Sequence, residues 1–187
     1  MASEQARAAS KRRSELRDEL FPAATAWVAD DEIGFFRAPR TLPLLAHLIS
    51  SKRVSGEKDA SSVYLELWAR NWGEGIVMIT DEADHAFAAG YTGTRAIRTW
   101  RERIRLLEEA GFIQVKAVGN RTIGAILMVH PSAAVERLRQ NGRVDDSWWN
   151  AYAARRSETG EKPHAKSEVS PPSRVLSLKA GTKKRRA

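Results

Sequence analysis

The chain has 187 residues with a formal net charge of +8, and it contains no cysteine. This length suits one moderate hydrophobic core with tails, and the missing thiols exclude disulfides, thiolate metal sites and a cysteine nucleophile. No apolar run reaches the roughly 18 residues that a membrane span needs, and the N-terminus lacks the apolar centre of a signal peptide. We therefore expect a cytoplasmic protein with no membrane partner.

The N-terminal region is predicted to lie outside the core. Residues 1–20 mix alanine with charged side chains and offer only Leu16 and Leu20 as large apolar groups. Such a segment can be helical but cannot dock strongly. We predict an arm or peripheral helix within residues 1–34.

Two core helices are predicted next. Apolar residues at helical spacing place the first over residues 42–51, and "KRVSGEK" then breaks it. Asp59 is placed to cap the second, and its apolar face includes Trp68 and extends to Trp72. Both tryptophans are expected to pack in the core.

A short strand and a capped helix follow. The β-branched run at residues 76–79 predicts a brief buried strand. Thr80 is predicted to cap a helix whose first turn is acidic, "DEADH", which favours the positive end of the helix dipole. That helix is expected to end near Gly90.

An arginine-rich amphipathic helix comes after the turn "GYTG". It is predicted over residues 94–110 and ends at Gly111, a residue typical of helix C-termini. Projection at roughly 100° per residue gathers one core stripe; its members are Ile97, Trp100, Ile104 and Leu107.

The remaining elements are a hairpin and two helices. "FIQVKAV" and "TIGAILMVH" are strand-like and are joined by "GNR", in which Gly and Asn can adopt the positive φ angles of a tight turn. Pro131 suits the first turn of a helix over residues 132–138 or a little beyond, which closes a domain of residues 35–141. Residues 142–156 can form an extra helix that includes Trp148 and Trp149. Residues 157–187 are polar and predict a disordered basic tail.

Positive charge is concentrated in two places. Residues 157–187 hold eight Lys/Arg against three acids, and residues 93–121 hold seven against three. The rest of the chain is almost neutral. One charged folded stretch with one charged tail is the usual electrostatic footprint of a nucleic-acid-binding protein, although anionic membranes or acidic proteins attract the same charge.

The segment "DEADHAFAAGYTGTRAIRTWRERIRLLEEAGFI", followed by "QVKAVGNRTIGAILMV", resembles winged helix-turn-helix DNA-binding proteins of the bacterial-regulator or mobile-element type. The ending "LLEEAGFI" is its most family-like piece, whereas "GYTGTRAIRTW" lengthens the turn and helix by about one turn relative to the family pattern. The resemblance implies a mainly α-helical fold with a small antiparallel β-hairpin and flexible N- and C-terminal extensions. It also implies that the arginine-rich helix enters the major groove of double-stranded DNA and that the hairpin contacts the flanking backbone.

On that basis we predict nine DNA-binding residues. The helix would supply Thr94, Arg95, Arg98, Thr99, Arg101 and Arg105, and the hairpin would supply Lys116, Asn120 and Arg121. Arginine presents a planar fork that matches a guanine edge or a phosphate.

A simpler interpretation of the same helix is a solvated face. Arg98 with Glu102 and Arg105 with Glu109 are spaced four apart, as in helix-surface ion pairs. Arg95 and Arg101 have no acid three or four residues away, so this interpretation explains them least. Thr94 is also explained as a helix cap.

Other site classes are disfavoured. The four histidines lack the spacing of metal ligands, and the chain has no phosphate-binding glycine loop, nucleophile elbow or paired-carboxylate motif. We therefore predict no cofactor and no enzymatic activity. Trp148 and Trp149 have three interpretations, which are docking on the domain, a dimer contact and stacking on bases.

The function implied by the resemblance is sequence-specific DNA binding by a nucleoid-associated bacterial transcriptional regulator. A plasmid or mobile-element replication or maintenance protein is an alternative, because winged-helix domains also bind origin repeats. A protein-interaction module is an alternative of a different class. Winged-helix regulators commonly form homodimers, and the N-terminal helix or the Trp148 and Trp149 segment would supply that contact.

Overall fold

The computed structural model describes residues 4–22, 28 and 33–161, and the chain divides into two compact units, residues 1–35 and 36–187. In the first unit, helix α1 spans Glu4–Leu20. Its few large apolar side chains are exposed, including Leu16 and Leu20. This agrees with a helix too polar to build a core of its own. The predicted basic tail lies outside the described residues from residue 162 onward.

The second unit is mainly α-helical with a small antiparallel sheet, which confirms the expected class. Its described elements are α2 (Leu42–Ser50), α3 (Lys52–Ser55), α4 (Ser61–Arg70), β1 (Ile76–Met78), α5 (Glu82–Ala88), α6 (Ala96–Ala110), β2 (Ile113–Val118), β3 (Arg121–Met128), α7 (Pro131–Gln140) and α8 (Asp146–Thr159). Within the described residues no helix is long and apolar enough to cross a membrane.

The sheet has three strands in the order β1-β3-β2, because the predicted brief strand joins the hairpin. Val77, Ile126 and Val115 are aligned across the three strands and form the inner face. Gly119 and Asn120 connect Val118 to Arg121, and only Gly119 has a positive φ, 58°. A positive φ at the first of two turn residues is the requirement of a type II′ turn, so the expected positive φ at Asn120 is wrong.

The core lies between the apolar faces of the helices and the inner face of the sheet. Its largest fully buried side chains come from α4, α6, α8 and the segment after α6; they include Tyr64, Trp100, Phe112 and Tyr152. The rings of Tyr64 and Phe112 lie edge to face at 5.2 Å. Full burial of an apolar side chain contributes about 1.5 to 3 kcal/mol, so this cluster fixes the positions of α4 and α6.

The predicted starts of α4, α5 and α6 are shifted by one or two residues, and one further short helix is present. Asp81, not Thr80, caps α5, because its carboxylate accepts from the Ala83 amide at 2.8 Å. The helix α6 begins at Ala96 with Arg95 in the cap position, so Thr94 is not its cap. The predicted break after α2 contains a further single-turn helix, α3. Asp59 accepts from the Ser61 amide, but Ala60 and not Asp59 holds the cap position of α4.

Two predicted core residues are exposed. Trp72 is 91% exposed because α4 ends at Arg70 and the helical face does not continue. Ile97 is 38% exposed because it lies in the first turn of α6, at the margin of the stripe. Trp68 is half-buried against the core, and Trp100, Ile104 and Leu107 are buried as predicted.

The last helix extends further than the sequence indicates. The helix α7 ends at Gln140, as expected of a helix that runs a little beyond residue 138, whereas α8 reaches Thr159, beyond the predicted boundary at residue 156. Asp145 caps α8 by accepting from the Trp148 amide at 2.8 Å. The indole of Trp148 is buried and donates to the Leu44 carbonyl at 3.1 Å. Docking on the domain is therefore the correct interpretation of Trp148.

Candidate nucleic-acid interface

A tight turn joins α5 to α6 and sets the start of the arginine-rich helix. The Tyr91 amide donates to the Ala86 carbonyl at 2.9 Å, and the Ala96 amide donates to Gly93 at 3.2 Å. Gly90 and Gly93 have φ angles of 89° and 79°, which side chains other than glycine rarely adopt. The turn therefore depends on these two glycines.

The two faces of α6 differ in burial. Trp100, Ile104 and Leu107 are fully buried, and Gly111 ends the helix with a left-handed φ of 80°. The opposite face is exposed and carries the predicted cations of the helix, which are Arg95, Arg98, Arg101 and Arg105. The apolar stripe thus holds the helix while its arginines remain on the surface.

The helix-surface ion pairs of the simpler interpretation do not form. Glu102 is bound by Lys58, which comes from the loop before α4, and by Arg103 at 3.0 Å. The hydrogen bond from Lys58 lowers the pKa of Glu102, so this carboxylate stays ionised. Among the described residues, Arg98 and Arg105 have no acidic partner. Their positive charge is therefore not neutralised by the helix itself.

Arg101 differs from these neighbours. Its Nε donates to Glu82 Oε2 at 2.6 Å, and its Nη2 lies 2.6 Å from the same oxygen. Glu82 lies in the first turn of α5, nineteen residues away in sequence. The local absence of acids in the sequence therefore does not make Arg101 a free cation.

The hairpin presents a second group of polar residues. Lys116, Asn120 and Arg121 are exposed, and Lys116 is aligned with Ala125 on β3. Neither cation has an acidic partner among the described residues. The strand pairing is irregular between Lys116 and Val118, close to the tip. Within the described part of the chain, no acidic side chain competes for the charges at this end of the hairpin.

The two threonines of the predicted site differ from each other. Thr94 is exposed, whereas Thr99 is half-buried. The Thr99 amide donates to the Arg95 carbonyl at 2.9 Å, the first backbone bond at the start of α6. Thr94 is thus placed for contact with a ligand, and Thr99 only partly so.

A buried polar cluster connects α4 with α5 and α6. Glu66 Oε1, on α4, lies 2.8 Å from His85 Nδ1 and accepts from Arg70 Nε at 2.7 Å. The His85 ring in turn lies 5.8 Å from the Trp100 ring of α6. Burial lowers the pKa of Arg70, but its hydrogen bonds to Asp84 and Glu66 outweigh that effect and raise it. Three helices therefore meet at one network of charged and aromatic groups.

Sequence reasoning missed this cluster. The pattern "DEADH" predicts only a favourable helix start. In the structure Asp81 caps α5, Glu82 binds Arg101, Asp84 binds Arg70 and His85 contacts Glu66. The available signal was the unusual density of ionisable groups one helix before an arginine-rich helix. Pairing over nineteen residues cannot be found from helical spacing.

The residues of α7 and α8 form a different surface. The guanidinium of Arg139 lies 3.8 Å above the ring centre of Trp149, which is half-buried. This contact accounts for one face of the Trp149 indole, and the Trp148 ring stacks on Tyr152 at 4.9 Å. Neither tryptophan offers a free, fully exposed face for bases.

Within the described residues, no group of three or more His, Asp or Glu side chains is arranged to hold a metal ion. The comparisons with known proteins are also negative. No family model matches the sequence, no curated protein is significantly similar to it, and no solved structure is significantly similar to its fold.

Proposed function

We propose that this protein is a winged helix-turn-helix protein that binds double-stranded DNA in a sequence-specific manner. In this arrangement α5 supports α6, which lies in the major groove. The β2–β3 hairpin is the wing and lies along the flanking phosphates. Contacts in the major groove come from Arg95, Arg98 and Arg105. Contacts with the DNA backbone come from Lys116, Asn120 and Arg121.

The order of elements supports the fold assignment. A short strand precedes two helices joined by a tight turn, and the hairpin that follows takes the first strand into one sheet in the order β1-β3-β2. This connectivity places the hairpin directly after α6, with only Gly111 and Phe112 between them. A ligand that lies along α6 would therefore meet the hairpin at its side.

The observation that carries the proposal is that Arg98 and Arg105, two exposed arginines of α6, have no acidic partner among the residues that the structure describes. Arg98 has Glu102 four residues away, yet that carboxylate binds Lys58 and Arg103. A surface that is merely solvated gains a few tenths of a kcal/mol from each such pair. Leaving the arginines unpaired keeps their donors available to a polyanion.

The dimensions of α6 agree with a groove-binding helix. Its 15 residues give a length of about 22 Å at 1.5 Å per residue. Arg98 and Arg105 are seven residues apart, so they lie about 20° from each other around the axis and about 10 Å apart along it. The B-DNA major groove is about 12 Å wide, and both guanidinium groups would enter it from one side of the helix.

One observation favours the alternative of a protein-interaction module. Ile76 and Leu127 are aligned neighbours on the outer face of the sheet, Met78 shares that face, and all three are exposed. Contiguous exposed apolar groups are typical of interaction surfaces. This face is distinct from the cationic face of α6, so the alternative is tested by asking which face binds.

The experiment is a DNA-binding titration of the full chain at several salt concentrations, with fragments selected from the host genome. Arg98→Gln is compared with Arg155→Gln, which removes an exposed arginine of α8 that is already paired with Glu158. We expect affinity to fall steeply with salt, and Arg98→Gln alone to weaken binding. No DNA binding, or equal effects of the two variants, would contradict the proposal.

The regulatory role is a narrower prediction. Mapping the selected fragments onto the genome distinguishes promoters, as expected of a transcriptional regulator, from origin repeats, as expected of a replication or maintenance protein. Retention of all binding in a variant with Ile76→Ser and Leu127→Ser would exclude the outer sheet face as the DNA-binding surface.

A further inference from the structure

The Glu82–Arg101 ion pair lies beside the arginines proposed to address the groove. We propose that Glu82 is a positioning residue that orients Arg101 to read a guanine, an inference that rests on the proposed DNA-binding function. The acid selects which edge of the guanidinium faces outward, so the pair contributes sequence discrimination and not only charge.

The contacts of Arg101 leave one edge of its guanidinium free. Both donors to Glu82 lie on the Nε and Nη2 side, and both converge on Oε2. A guanidinium has five N–H donors in a planar fork. The Nη1 hydrogens and the outer hydrogen of Nη2 therefore remain, and this end-on edge is the one that matches the O6 and N7 acceptors of guanine.

The exposure of the two side chains indicates that Glu82 supports Arg101 from the inside and does not cover it. The Glu82 side chain is 17% exposed, whereas the Arg101 side chain is 49% exposed. The carboxylate is thus the inner member and the guanidinium is the outer one. A carboxylate that simply blocked the arginine would lie on the solvent side, where it would also repel phosphates.

The position of Arg101 on α6 is also suitable. Arg98, Arg101 and Arg105 fall within roughly 60° of each other around the helix at 100° per residue. Arg101 lies between the other two along the axis. It would therefore lie along the groove between two unpaired arginines, at one edge of the face that they share, and those two are free to bind phosphates or other base edges.

Fixing the side chain has a physical consequence for specificity. A free arginine must give up side-chain conformational entropy when it docks on one base, whereas a side chain already held by a hydrogen bond and an ion-pair contact loses less. A free arginine also finds phosphates as readily as bases. Glu82 reduces both effects because it restrains the guanidinium and partly neutralises it for phosphate binding.

The test compares Glu82→Ala with Glu158→Ala, a matched control that removes an exposed carboxylate paired with Arg155 on α8. Each full-length variant is titrated with its selected DNA site, with a site in which each G·C pair is replaced in turn, and with unrelated DNA. We expect Glu82→Ala to lose discrimination at one G·C pair by about tenfold, and its affinity for unrelated DNA to stay equal or rise. Glu158→Ala should leave discrimination unchanged.

A second measurement removes the guanine acceptor from the DNA, so its first part uses only the unmodified protein. Each guanine of the site is replaced in turn by 7-deazaguanine, which lacks N7. We expect the unmodified protein to lose affinity at one guanine. Arg101→Lys, which keeps the charge but not the planar fork, should be insensitive to replacement of that same guanine.

The outcomes separate this inference from the proposed function. Equal tightening of all DNA by Glu82→Ala would show that Glu82 masks Arg101 and would overturn the inference while DNA binding stands. Unchanged discrimination, or unchanged sensitivity of Arg101→Lys to 7-deazaguanine, would overturn it as well. If the unmodified protein binds no DNA at any salt concentration, the proposed function fails and the inference fails with it.

Discussion

Arg98 and Arg105 on α6 differ from Arg137 on α7 and Arg143 in the segment after it. Arg143 donates to the carbonyls of Arg53 and Val54, at 2.9 and 2.7 Å, and Arg137 donates to the Gly111 carbonyl at 2.9 Å. These guanidinium groups tie separate segments of the domain together. Arg98 and Arg105, by contrast, have no acidic partner among the described residues.

The comparison shows that one residue type serves two purposes, and that the partners of each guanidinium distinguish them. Arginine has five donors, so a side chain that bridges two carbonyls is a structural brace. A side chain whose donors face only solvent contributes little to stability and is available to a ligand. The amino-acid composition does not distinguish arginines that bind carbonyls from arginines that face solvent. Only their contacts in the structure do.

The sharpest test of this difference is charge reversal on the unpaired face. Arg105→Glu should weaken DNA binding by about 100-fold, because a like charge facing the phosphates costs several kcal/mol. The matched control is Arg155→Glu on α8, which reverses the same charge on a different helix and should change affinity little. Fluorescence anisotropy with one selected DNA fragment measures both. Equal losses for the two variants would mean that only net charge matters.

Removal of an arginine that ties segments of the domain together should instead reduce stability and leave DNA binding nearly unchanged. Arg143→Ala should lower the free energy of unfolding by about 2 kcal/mol, because it removes charged hydrogen bonds to two carbonyls and leaves those acceptors without their partner. Arg105→Ala, its control on α6, should stay within about 0.5 kcal/mol of the parent protein.

Urea unfolding of Arg143→Ala and Arg105→Ala gives this comparison directly. DNA affinity measured well below the midpoint should then be nearly normal for Arg143→Ala and reduced for Arg105→Ala. A clearly lower free energy of unfolding for Arg105→Ala would show that Arg105, like Arg143, stabilises the fold.

Much of the fold follows from local sequence patterns. The apolar stripe of α6 contains Trp100, Ile104 and Leu107, and helical periodicity alone assigns them to the core. The hairpin follows from two apolar runs around a Gly-Asn turn. Such features succeed because they depend on residues within a few positions of one another.

The errors have local physical causes as well. The predicted apolar face continued through Trp72, but α4 ends at Arg70, where Asn71 instead accepts from the Gly73 and Gly75 amides through its side chain. Thr80 and Asp81 both belong to residue types that favour helix caps, and in the structure the Asp81 carboxylate accepts from the Ala83 amide. Element ends depend on such single hydrogen bonds, which spacing does not resolve.

The candidate site was predicted only in part for a different reason. The exposure of Arg95, Arg98 and Arg121 follows from amphipathic patterning. The partners of Arg101 and Glu102 come instead from α5 and from the loop before α4. Tertiary contacts decide which cations stay free, and a single sequence carries no information about pairing over that distance.

A smaller effect is expected at the start of α6. Arg95 occupies the cap position, is exposed and makes no side-chain cap bond. Arg95→Ala should therefore reduce discrimination between the selected site and altered sites by about 1 to 3 kcal/mol, as for loss of one base contact. Competition titrations with single-base variants of the site measure this loss. Unchanged affinity and an unchanged footprint would remove Arg95 from the groove.

The smallest effect is expected at the hairpin tip. Arg121 follows the turn, is exposed and has no acidic partner among the described residues, so a phosphate is the partner that its position favours. Arg121→Ala should weaken selected and unrelated DNA by the same factor and reduce the slope of log affinity against log salt by about one. Asn120→Ala is the neighbouring neutral control, and it should leave the slope unchanged. A loss confined to the selected site would instead mean that Arg121 reads a base, and the hairpin would then belong to the specificity-determining surface together with α6.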